Sequence, residues 1–152
     1  MNIIIVFGSL LGKTKRIAVL MGHLLQKNGF HVKVKDVKNA QVEELEYFDM
    51  VILGCSTWDD GMLQYDFRHF NQALLEKQYP EKQFAVFGLG GTSYPHFCAA
   101  VDILESTISR VEGKLATPSL RLDIDHDEPV DKVDKEVISW TTHLVNRTNS
   151  PR

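Results

Sequence analysis

Ile3-Ile4-Ile5-Val6-Phe7-Gly8-Ser9-Leu10-Leu11-Gly12-Lys13-Thr14 passes from an unbroken apolar run into a loop bounded by two glycines. The run is rich in β-branched residues and shows no polar alternation, so it reads as a strand buried on both faces. After the loop, Ile17, Leu20, Met21, Leu24 and Leu25 fall on one face of a helix that Gly29 can end. Strand, glycine turn and helix in that order predict an α/β chain.

The same pattern recurs downstream. Met50-Val51-Ile52-Leu53 precedes Gly54, and Phe84-Ala85-Val86-Phe87 precedes Gly88. Two other segments alternate instead. Phe30, Val32 and Val34 interleave with His31, Lys33 and Lys35; Leu120 and Leu122 interleave with Arg121 and Asp123, just after Pro118. Alternation, lysines and a proline are features of edge strands. Helical spacing appears in Leu63, Phe67, Phe70 and Leu74, then from Phe97 to Val111, then in Val130, Val133, Val137, Trp140 and Leu144. Residues 40–46 read as a short, weakly amphipathic helix. The expectation is a three-layer sandwich with a five-stranded parallel sheet in order 2-1-3-4-5. It comprises one domain over residues 1–146 and a polar, frayed tail over 147–152, with fraying expected from Asn146 on.

Composition narrows the function. The 152 residues are 43% hydrophobic, enough for one core and too much for a disordered chain. No apolar run approaches the roughly 18 residues of a spanning helix. The net charge is −3, with +2 on residues 1–50 and −5 on the rest, so no basic field for nucleic acid exists. The two cysteines, Cys55 and Cys98, make no disulfide framework, and neither has a partner at metal-ligand spacing. Residues 1–7 lack a preceding positive region and run straight into Gly8-Ser9, so they read as a strand rather than a signal peptide; a cytoplasmic monomer is expected.

In such a sheet a ligand sits outside the carboxyl ends of the central strands. Three loops matter there. Ser9, Leu10, Leu11, Gly12, Lys13 and Thr14 lie at a helix start, where free N–H groups attract an anion. The spacing is one residue too short for a nucleoside-triphosphate loop. Gly54-Cys55-Ser56-Thr57-Trp58-Asp59-Asp60-Gly61 carries a tryptophan at a place unsuited to a core residue. Gly88-Leu89-Gly90-Gly91-Thr92-Ser93-Tyr94-Pro95-His96-Phe97-Cys98 allows close backbone approach and carries Tyr94. Two rings beside an anion loop suit a flat heteroaromatic phosphate ester. A phospho-acceptor receiver is set aside, because the first and third strands end in Gly8-Ser9 and Gly54-Cys55 rather than in acids.

Gly8-Ser9-x-x-Gly12-x-Thr14, Leu53-Gly54-Cys55-Ser56-Thr57-Trp58 and Ser93-Tyr94-x-x-Phe97-Cys98-x-Ala100-Val101-Asp102, in that order and on those loops, closely resemble the short-chain flavodoxins. The resemblance covers nearly the whole chain and implies a flavodoxin-like fold, non-covalent FMN and one-electron transfer between redox proteins at low potential. It implies that residues 9–14 hold the phosphate and that Ser56 and Thr57 support the ribityl side. Trp58 and Tyr94 would cover the two faces of the ring. Backbone groups around Asp59, Leu89, Gly90, Gly91 and Cys98 would bond its edge, with His96 and Phe97 alongside. An acidic rim of Asp59, Asp60, Asp66, Asp125, Asp127 and Glu128 would dock partners, with no nucleic acid and no membrane involved.

Departures from the family pattern carry expectations of their own. Leu10 and Leu11 replace loop hydroxyls, and Lys13 can offset part of that loss by charge. Asp59 stands where many relatives have a flipping glycine, so the half-reduced flavin should be less stabilised. Gly91 stands where relatives often have an acid, so the second potential should be less negative. His96 stands where some relatives have an aromatic, where it can titrate near neutral pH. Two alternatives stay open on the sequence: an FMN-dependent NAD(P)H or quinone reductase, and a flavodoxin-like module that has lost FMN.

Overall fold

In the computed structural model, which describes residues 1–9, 11–57, 61–91, 97–124 and 129–149, strands and helices alternate along the chain. They are β1 (Asn2–Gly8), α1 (Lys13–Lys27), β2 (His31–Asp36), two short 3₁₀ turns (Val37–Asn39 and Val42–Tyr47), β3 (Met50–Ser56), α2 (Tyr65–Leu75), β4 (Gln83–Gly90), α3 (Ala99–Arg110), β5 (Lys114–Leu115), β6 (Leu120–Asp123) and α4 (Val130–Asn149). The strand order is β2-β1-β3-β4-β5, with β6 also on β4, and every pair is parallel.

Successive residues of the central strands enter two different cores. Ile3, Ile5 and Phe7 pack with Ile17, Met21, Val137 and Leu144 on the α1–α4 side. Ile4 and Val6 pack with Phe67, Phe70, Val101 and Leu104 on the α2–α3 side. Burial on both faces is why β1, β3 and β4 carry unbroken apolar runs. Each fully buried side chain contributes roughly 1.5–3 kcal/mol by area. β2 is an edge, as its alternation predicts. Its Lys35 ammonium donates to Glu44 (2.9 Å), and Lys33 approaches the same carboxylate (3.5 Å).

The sheet has six strands rather than five. Phe84 pairs with Leu115 and Phe87 with Leu120, so residues 116–119 face only Ala85 and Val86. Pro118 has no N–H for the ladder, and the surplus residues bulge out of register. Helix α4 takes up carbonyls of that bulge: Trp140 Nε1–H donates to Pro118 O (2.8 Å) and Arg147 Nε–H to Ala116 O (3.0 Å).

Other boundaries shift for local reasons. Residues 40–46 are not one α-helix: Ala40 and Gln41 link the two 3₁₀ turns, and 42–46 lie in the second. The Asp36 carboxylate accepts from Lys38 N–H (2.9 Å) and the Glu44 carboxylate from Gln41 N–H (2.9 Å), and both bonds close tighter turns. Leu63 precedes α2 in an antiparallel bridge to Thr57. Phe97 lies in the turn before α3. Helix α4 continues through Asn149, so residues 146–149 are helical rather than frayed, with Val145 buried beneath them.

Candidate functional site

The carboxyl ends of β1, β3 and β4 lie side by side, with Gly8 opposite Cys55 and Ser56 opposite Leu89. Helix α1 leaves β1 on one face of the sheet and α2 follows β3 on the other, so a crevice opens between β1 and β3.

The first loop is built to receive an anion. Gly12 caps α1 with φ 86°, a left-handed value that favours glycine, and its N–H donates to Ser9 Oγ (2.9 Å). No side chain caps α1, and its first turn holds no acid but Lys13, Lys15 and Arg16. A cation at a helix N-terminus opposes the macrodipole, and three there leave the end strongly electropositive. Arg16 is neutralised by Asp134 of α4 (2.8 Å), while the side chains of Lys13 and Lys15 stand exposed. A phosphate at this end would accept the free N–H groups and relieve the charge, so the residues fit that group. Thr14 is buried at 1% exposure, whereas Leu11 is 85% exposed.

The second and third loops are tied together. Thr57 N–H donates to Leu89 O (3.1 Å), and Thr57 Oγ1 accepts from Ala100 N–H (2.9 Å) at the start of α3. A hydroxyl expected on the ribityl side therefore caps a helix from the neighbouring loop, with its own proton left to donate. Ser56, at the end of β3, is half-buried. Leu89 is 1% exposed and its carbonyl is taken by Thr57; the Gly90 carbonyl is taken by Ile124 N–H (2.9 Å). Each of these two carbonyls thus already accepts one hydrogen bond within the protein. Gly90 admits a close approach: a Cβ there would stand 2.9 Å from Cys98 N. Cys98 itself adopts φ 51°, ψ 33°. Phe97 is half-buried against the α2–α3 core.

The thiols are structural. Burial pushes Cys55 up to about 12 even though its sulfur accepts from Gln64 N–H (3.4 Å). Burial likewise pushes Cys98 up to about 12, against the opposing pull of Arg121. Both stay protonated at neutral pH and are poor nucleophiles. Among the described residues no cluster of His, Cys, Asp or Glu could hold a metal, and no helix is long and apolar enough to cross a membrane.

Leu10, Trp58, Asp59, Asp60, Tyr94, His96, Asp125, Asp127 and Glu128 lie outside the described residues. Two neighbours of the site go unnoticed in a sequence reading. Gln64, 2% exposed, accepts from Phe67 N–H through Oε1 (3.3 Å) and so caps α2 beside Gly8. Arg121 reads as one more polar member of an edge strand, yet it donates to the Cys98 carbonyl (3.2 Å).

A doubly wound parallel sheet with an anion-accepting turn at its switch point defines a nucleotide-binding class, and this protein falls in it. Within that class the flavodoxin family model matches residues 5–140, and the chain belongs to that family. A flavodoxin of Nitratidesulfovibrio vulgaris (strain DSM 19637 / Miyazaki F) is 36% identical over 147 residues, 95% of this chain and 97% of that protein. Oxidised flavodoxin 2 of Bacillus cereus is 27% identical with a TM-score of 0.89, covering 97% of this chain and 99% of that one. The fold is shared with a Fusobacterium nucleatum flavodoxin bound to flavin mononucleotide, 21% identical with a TM-score of 0.82, covering 94% of this chain and 96% of that one.

Proposed function

We propose that this protein binds FMN without a covalent link and carries electrons one at a time between redox proteins. The observation that carries the reading is the first turn of α1, which has free N–H groups, two exposed lysines, no acid and no side-chain cap, set at the switch point of a flavodoxin chain. FMN, when bound, supplies the one-electron chemistry.

The chain's own residues do the rest. Ser9, Leu10, Leu11, Gly12, Lys13 and Thr14 hold the phosphate through backbone groups, hydroxyls and the lysine charge. Ser56 and Thr57 support the ribityl chain. Trp58 and Tyr94 cover the ring faces and exclude water. Asp59, Leu89, Gly90, Gly91 and Cys98 offer backbone groups to the ring edge, flanked by His96 and Phe97. Thr57 ties the end of β3 to the first turn of α3.

The partner surface is the acidic rim. The rim comprises Asp59, Asp60, Asp66, Asp125, Asp127 and Glu128, of which Asp66 also accepts from Gln64 Nε2 (3.0 Å) and faces Lys38 (3.8 Å). Electron delivery to a basic partner then slows as salt rises over the range where the screening length shortens to about 8 Å. The protein acts as a monomer in the cytoplasm.

An anaerobic reductive titration followed in the visible tests the reading. Flavin bands that bleach in two separate one-electron steps support it. A protein that neither contains nor takes up FMN overturns it. Fast oxidation of NAD(P)H by the protein alone replaces it with a reductase.

A further inference from the structure

We infer that the outward face of α1 is a docking surface for an acidic partner protein, distinct from the residues that hold FMN and opposite in sign to the acidic rim.

Residues 1–35 hold six Lys/Arg and no Asp or Glu, although acids make up 20 of the 152 residues. That stretch therefore carries +6, and the remainder of the chain −9. It builds β1, α1 and all but the last residue of β2. β1 is buried from Ile3 to Gly8, and the lysines of β2 are already met: Lys33 and Lys35 share the Glu44 carboxylate (3.5 and 2.9 Å). The unmatched charge lies on α1.

Helix α1 has two sides. Thr14, Ile17, Ala18, Met21, Gly22 and Leu25 are buried. Lys15, Arg16, Val19, His23, Gln26 and Lys27 are exposed, and none of them is an acid. Lys15, Val19, His23 and Lys27 follow at four-residue spacing, which lines them along about 18 Å of the outward face. Asp134 of α4 takes Arg16 (2.8 Å), whereas among the described residues neither Lys15 nor Lys27 has an ion pair. Val19 is 39% exposed in the middle of that row, and Leu11, 85% exposed, stands just ahead of it.

Free cations around an apolar contact complement carboxylates around an apolar contact on another protein. Lipid fits less well, because Ile17 and Met21, at 1% and 0% exposure, lock the apolar side of α1 in the core and away from a bilayer. Nucleic acid fits less well too, because two free lysines and a histidine fall short of the roughly six to ten phosphate contacts of a strong duplex binder. α1 begins at the turn after β1, so a protein lying along it stands beside the crevice. Lys15, Val19, His23 and Lys27 are not among the residues assigned to FMN, and the inference stands apart from that reading.

The probe is the peptide Glu-Glu-Leu-Glu-Glu-Leu-Glu-Glu, titrated at low salt into the isotopically labelled protein as purified and followed by amide NMR shifts. Shifts should centre on residues 15–27. Affinity should fall about fivefold in Lys15→Ala/Lys27→Ala, the order of two exposed ion pairs. Lys33→Ala/Lys35→Ala should leave it within about twofold, since Glu44 already holds those lysines. Asp134→Asn frees Arg16 and should tighten binding about two- to threefold. Glu76→Gln makes the same change of net charge on α2, across the sheet, and should not. If Lys15→Ala/Lys27→Ala fails to fold, the shift map and the contrast between Asp134→Asn and Glu76→Gln decide. No binding, shifts centred outside α1, or equal responses to Asp134→Asn and Glu76→Gln overturn the proposal. An oligothymidylate of equal length that binds residues 15–27 more tightly than the peptide overturns it in favour of nucleic acid. Sedimentation with phosphatidylglycerol vesicles that the peptide does not compete away overturns it in favour of lipid.

Discussion

Gly90→Ala tests the contact on which the third loop depends. The added methyl would lie 2.9 Å from Cys98 N and 3.3 Å from Cys98 Sγ, where ordinary contact begins near 3.4 Å. Neither neighbour is a free side-chain end. Cys98 is held by Arg121, Leu122 and Val101, and Gly90 is held by Ile124 N–H. A shift of about half an ångström must therefore break one of these bonds or turn the Cys98 amide. Overpacking of this kind costs about 1–3 kcal/mol. At about 2–4 °C per kcal/mol for a chain of this size, apoprotein melting should fall by roughly 5 °C. Loss of one backbone bond to the ring should weaken FMN and riboflavin about tenfold alike. Thermal melts of the apoprotein and flavin-fluorescence titrations read both quantities. Unchanged melting would refute the close approach itself. A lower melting point with flavin affinity intact would refute the role of the Cys98 N–H.

Lys13→Ala should weaken FMN about three- to tenfold at low salt and leave riboflavin unchanged, because the role proposed for the lysine is toward the phosphate alone; equal losses for both flavins would refute that role. Thr117 is 2% exposed and its Oγ1 has no hydrogen-bond partner, so Thr117→Val should stabilise the protein by about 1 kcal/mol, read as a higher urea midpoint. A fall would reveal a partner to the hydroxyl. The raised thiols make stability pH-dependent: folding keeps Cys55 and Cys98 protonated to about 12, whereas the unfolded chain ionises them near 9. Their contribution is therefore complete below about pH 9 and lost as pH rises toward 12. Between pH 8 and 10 the unaltered protein should lose more urea resistance than the Cys55→Ala/Cys98→Ala variant, and equal losses would refute the burial argument.

Much of this was legible in the chain. Unbroken runs such as Ile3-Ile4-Ile5-Val6-Phe7 can only be strands covered on both faces, and lysines alternating through β2 can only sit at an edge. Glycines after three such strands place three loops at one end of the sheet, and the motifs on those loops point to a phosphate-bearing flavin. Periodicity and local residue type carry the strands and the loops, and the flavin is what the resemblance of those motifs to the flavodoxins implies. The contacts that position the site are of another kind. Thr57 caps a helix at Ala100, Arg121 reaches back to Cys98, and the edge splits at Pro118 because four residues meet two across β4. Those bonds join residues 23 and 43 positions apart, and their partners are chosen by strand register and packing. A hydroxyl or guanidinium looks the same in sequence whether it faces water or holds a distant carbonyl, so only the folded arrangement could assign them.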